Sequence, residues 1–105
     1  MAQQVLKIDA LPEDSVKAAA TFYGDFLEQI EAMLASQAAV VAICLPSAAK
    51  SHDDWRRAAA RDLARAHAPN RVNIVGGSDG VEIQAILTYL ENAPGITGQY
   101  LAAHE

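Results

Sequence analysis

"RVNIVGGSDG", residues 71–80, reads as a short β-strand running through a glycine-rich turn into a helix. Val72, Ile74 and Val75 are strand formers on near-consecutive positions, as in a strand covered on both faces. Asp79 with Glu82 has the spacing of a capping box, so Ser78 or Asp79 is expected to start a helix. Working backwards, "AAVVAICL" (Ala38 to Leu45) is a second apolar run, bounded by Gln37 and Pro46. Between the two lies a helical pattern to about His67, with Trp55, Ala58, Ala59, Leu63 and Ala66 on one side. Arg57, Arg61 and Arg65 line another side, with Arg56 alongside them. Ser51 and Asp54 offer a capping-box-like start for this helix.

Further back, Val16 to Leu34 carries apolar residues at helical spacing: Ala19, Phe22, Tyr23, Phe26, Leu27, Ile30, Met33 and Leu34. Pro12 and the acidic residues after it suit its N-terminus. "VLKIDAL" (Val5 to Leu11) alternates like a first strand. On the other side of the opening stretch, Val81, Ile83, Ala85, Ile86, Leu87, Tyr89 and Leu90 predict an unusually buried third helix. "NAPG" makes a turn and "ITGQYLAA" a last strand. The order β-α-β-α-β-α-β calls for an α/β fold, about four parallel strands with three helices in two or three layers, over residues 1–105.

Composition bounds the function. The chain has 105 residues, 51% of them hydrophobic, and a formal net charge of −5. That charge argues against nucleic acid and anionic membrane as partners. No apolar run is long enough to span a bilayer, and the start lacks the features of a secretory signal, so a cytoplasmic protein is expected. The initiator Met1 points to a complete gene product. Cys44 is the single cysteine, so no disulfide and no multi-cysteine metal site is expected, and its apolar strand makes it a small buried hydrophobe.

Two blocks carry a family resemblance. "DLARAHAPNRVNIVGG", with Val72, Asn73 and Val75, and "ILTYLENAPGITGQYL", with Thr97, Gly98 and Gln99, resemble the late helices and strands of short-chain dehydrogenases/reductases. The resemblance implies a Rossmann-like scaffold corresponding to the second half of a typical member. It also implies a last helix on the opposite sheet face from the others, whereas right-handed crossovers would put all three on one face.

Set against that family, the chemistry is missing from this chain. No glycine precedes Gly24, so there is no dinucleotide-binding glycine cluster on the first strand. Lys50 stands near the expected catalytic lysine, but Pro46 occupies the tyrosine position four residues earlier, so Ser47, near the expected serine, lacks the tyrosine it would assist. Gly76, Gly77 and Ser78 replace the family's Pro-Gly, the covering segment before the last helix is absent, and Ala102, Ala103 and His104 replace the terminal Asp-Gly-Gly. No catalytic residue, cofactor or metal is therefore assigned.

The remaining candidates have plain alternatives. The loop Gly76, Gly77, Ser78, Asp79 could offer backbone amides to an anion, but Asp79 puts a negative charge at that helix N-terminus. His52, Asp53 and Asp54 near Lys50 read as complements to a helix dipole rather than as metal ligands. The arginine row reads as a solvated helix face. An edge strand and a thinly covered sheet face predict an oligomer, most simply a homodimer. Its interface is expected on Phe22, Tyr23, Phe26, Trp55, Ala58 and Ala59. The expectation is a non-catalytic interaction protein that self-associates and docks onto an enzyme of the short-chain dehydrogenase type. The alternative is a module binding a nucleotide or acyl group near Gly76–Asp79.

Overall fold

The computed structural model describes residues 3–36 and 39–103. Four parallel strands form one sheet in the order β1-β2-β3-β4. They are β1 (Gln4–Lys7), β2 (Val40–Leu45), β3 (Arg71–Gly76) and β4 (Tyr100–Ala102). The register pairs Leu6 with Ile43, Ile43 with Ile74, and Ile74 with Tyr100. Helices α1 (Ser15–Thr21) and α2 (Leu27–Ala35) are joined by a π-helical segment, Phe22–Phe26, while α3 spans Asp53–Ala66 and α4 spans Gly80–Glu91. The start of the second apolar run, Ala38, lies outside the described residues, as does His104.

Strand alternation sorts the core into two layers. Leu6, Ile8, Val41, Ile43, Leu45, Val72 and Ile74 point to one face, where Phe22, Ile30 and Leu34 of the first rod and Ala59, Ala60 and Leu63 of α3 cover them. Cys44 and Val75 point to the other, under Leu90, with Ile83, Ile86 and Leu87 of α4 beside them. The last helix is thus on the opposite face, and the fold has three layers. Every step across the sheet goes the same way, so the β3–α4–β4 connection has the opposite hand to the other two. With those right-handed, as such units nearly always are, this one is left-handed.

A polar clasp built from the family-like residues holds that unusual connection. Asn73 is fully buried; its Nδ2 donates to Ile96 O at 3.1 Å and its Oδ1 accepts from Gln99 N at 3.1 Å. Val72 N donates to Thr97 Oγ1, and Gly98 N donates to Val72 O. Arg71 Nη1 reaches the carbonyls of Leu90, Ala93 and Ile96, closing the C-terminal end of α4. Residues 97–99 serve this clasp, which is why β4 is only three residues long.

Several expectations need correction. β1 stops at Lys7 rather than Leu11; Ile8 N still donates to Cys44 O, and the chain then turns towards α1, whose N-cap is Asp14. Ser51 and Asp54 form no capping box: Lys50–His52 is a 3₁₀ turn, with no side-chain cap at the start of α3. The third helix is not unusually buried. Only Leu90 is buried, while Val81 is 81% and Tyr89 56% exposed, because α4 is the lone helix on its face and touches the sheet with one side. The thinly covered face is also smaller than expected. All six residues of β2 are buried, and exposure is confined to the edge strands, at Val5 of β1 and Ala102 of β4 among others.

Candidate functional site

The strand C-termini form the natural place for a site in an open α/β sheet. Two clefts lie there, one on each side of the sheet. The first, of about 410 Å³, runs between β1 and α4 and is lined by Lys7, Asp9, Cys44, Pro46, Gly77, Ser78 and apolar residues such as Ile83 and Leu87. Gly77 has φ 149°, a backbone conformation that favours glycine, and this turns β3 into α4. Gly76 is needed for a different reason: a Cβ there would lie 2.5 Å from Tyr100 Oη and 2.9 Å from Arg56 Nη1.

Asp79 is the N-cap of α4, its Oδ1 accepting from Val81 N at 2.9 Å and Glu82 N at 3.2 Å. Those amides are occupied, so the glycine turn does not present them to a phosphate. Lys7 pairs with Asp9 at 3.9 Å on the exposed rim. Burial pushes the Cys44 thiol above its usual range, with Lys7 pulling the other way. A thiol held protonated is a poor nucleophile.

The second cleft, of about 340 Å³, is lined by Leu11, Pro12 and Glu13 on one side, by Pro46–Ala49 on the other, and by His52 and Arg56. His52 is buried, and both ring nitrogens are engaged. Trp55 Nε1 donates to Nδ1 at 3.1 Å, leaving Nε2 to donate to Glu13 O at 2.8 Å. Asp53 and Asp54 point away and sit 3.8 and 4.0 Å from Arg57. Among the described residues, no three His, Cys, Asp or Glu side chains converge as metal ligands. Ser47 and Lys50 are both exposed.

Arg56 departs most from the sequence reading. It is 1% exposed rather than part of the solvated row; Nη2 donates to Pro46 O at 2.9 Å and Nη1 to Tyr100 Oη at 3.2 Å. Its guanidinium lies 5.6 Å from the Trp55 ring and 5.7 Å from that of Tyr100. The signal was present: position 56 falls three and four residues before Ala59 and Ala60 on the inward stripe. Arg57 and Arg65 do face solvent, paired with Asp53 and Asp62.

The expected interface set splits. Phe22 and Ala59 are fully buried in the chain's own core and cannot offer a surface. Tyr23 is exposed, while Phe26, Trp55 and Ala58 are half-buried.

The chain matches the family described as short chain dehydrogenase-like protein over residues 6–103. It belongs to that family. No curated protein and no solved structure matches the chain. The family assignment agrees with the left-handed connection and with the Val72-Asn73 and Thr97-Gly98-Gln99 pairing that holds it. Among the described residues, no helix is long and apolar enough to cross a membrane.

Proposed function

We propose that this short chain dehydrogenase-like chain is a non-catalytic scaffold that self-associates. The observation that carries the reading is the outer side of α4, where Val81, Ala85 and Tyr89 recur every four residues and are all exposed. Two copies of this stripe laid antiparallel about a two-fold axis would put Ala85 against Ala85, with Val81 of each copy against Tyr89 of the other. The small central residue allows close approach. The non-catalytic part rests on Pro46, which stands in the family's tyrosine position and whose carbonyl accepts from Arg56. The open surface of Tyr23, Phe26, Trp55 and Ala58 is the place for a protein partner of the short-chain dehydrogenase type.

Sedimentation equilibrium of Val81→Asp tests the reading, since position 81 is solvent-exposed and tolerates the charge. A dimer reduced to monomer supports the α4 seam; an unchanged mass removes it.

A second reading is favoured by the 410 Å³ cleft: a small-ligand module at the strand ends. Its apolar walls and capped helix suit an acyl chain better than a phosphate. A rise in melting temperature with an acyl-CoA would support it, and no shift with acyl-CoA or nucleotide would remove it.

A further inference from the structure

The cleft on the α3 side of the sheet contains a buried charge with no counter-ion among the described residues. Arg56 lines it at 1% exposure, and a guanidinium has five N–H donors. Pro46 O and Tyr100 Oη take two of them, and among the described residues Nε has no hydrogen-bond partner. Among the described residues, no carboxylate lies within ion-pair distance of Arg56. Asp53 and Asp54 serve Arg57, and Glu13 meets the cleft while giving its backbone carbonyl to His52. A buried cation without a counter-ion is expensive, and an anion seated in the cleft would remove that cost.

We infer that this cleft binds a small organic carboxylate, with Arg56 as its anchor. The planar guanidinium matches a carboxylate in a two-point fork. Leu11, Pro12, Ala48 and Ala49 supply apolar wall for a short hydrocarbon stem, within about 340 Å³. His52 contributes a ring held in place at both nitrogens, by Trp55 Nε1 and by the Glu13 carbonyl. The chain's net charge of −5 repels multiply charged anions at longer range, which favours a monocarboxylate over phosphate esters. This site is separate from the α4 seam and from the cleft beside Gly77, so its fate does not decide theirs.

Titration of the full chain with sodium butyrate, followed by proton–nitrogen NMR, tests it. The Arg56 Nε–H and the amides of residues 47–52 should shift saturably with butyrate and not with butyramide, its neutral counterpart. Ala48→Asp, at an exposed position on the cleft wall, should weaken butyrate by about tenfold or more while leaving the spectrum of the fold intact. Absence of saturable shifts at Arg56, equal shifts with butyramide, or an unchanged affinity in Ala48→Asp would overturn the proposal. Saturation by inorganic phosphate alone would overturn the assignment to carboxylates.

Discussion

Gly76→Ala is predicted to be costly for a reason that backbone conformation does not supply. The added Cβ would sit 2.5 Å from Tyr100 Oη, 2.9 Å from Arg56 Nη1 and 3.0 Å from Tyr100 Cε1. Ordinary carbon contacts lie at about 3.5–4.0 Å, so the overlap at the hydroxyl is about 1 Å. Either the site overpacks, at about 1–3 kcal/mol, or the Tyr100 ring swings away. A displaced ring forfeits a hydrogen bond to a charged donor, about 1.5–3 kcal/mol. The Gly→Ala change also restricts the unfolded chain, which returns about 0.4–1 kcal/mol. The net expectation is a loss of about 1–2 kcal/mol. Tyr100→Phe removes the nearest obstacle but leaves Cε1 and Nη1 in place. The double variant should therefore cost less than the sum of the singles, by about 1 kcal/mol. Urea unfolding followed through Trp55, the only tryptophan and a neighbour of Arg56, reads all four corners of the cycle at one protein concentration. A Gly76→Ala variant as stable as the parent, or two changes that simply add, would refute the packing argument.

Other outcomes follow from the same contacts. Asp79→Ala should lower stability by about 1 kcal/mol, because two N-terminal amides of α4 lose their acceptor; urea midpoints check it. Asn73→Ala should cost more, about 2–3 kcal/mol, since it leaves the Gln99 N–H unpaired in the buried clasp and takes from Ile96 C=O one of its two donors, Arg71 Nη1 remaining; hydrogen exchange should then rise first in residues 96–102. The Cys44 thiol has its pKa raised by burial, so the folded state holds that proton more tightly than the unfolded chain. Its contribution is complete below the usual thiol range, near 9, and declines as pH rises beyond it. Stability of the parent should therefore fall more steeply than that of Cys44→Ala between pH 8 and 10.5, measured as urea midpoints.

Much of the fold was legible because β2 and β3 are short apolar runs with clear stops, and the helices between them carry a directed stripe. What local pattern could not show was direction around α4. Counting Val81, Ala85 and Tyr89 as apolar predicts burial, but they lie on the side away from the sheet. The roles of Asn73, Thr97 and Gln99 were also invisible as chemistry, although their types stood out. Their hydrogen bonds cross more than twenty residues and exist only once the left-handed connection has closed. Arg56 was misread because four arginines lie within ten residues and three of them do face water. Its inward position follows from Ala59 and Ala60 rather than from its own charge. At the glycine turn, sequence and structure agree that Asp79 occupies the place an anion would need.

The central claim, a family scaffold that associates with itself and has no cofactor chemistry, is most directly tested by the solution mass. Light scattering should give twice the chain mass of 11.2 kDa, with neither mass nor melting temperature altered by NAD or NADP. A monomer, or a chain stabilised by either dinucleotide, would contradict it.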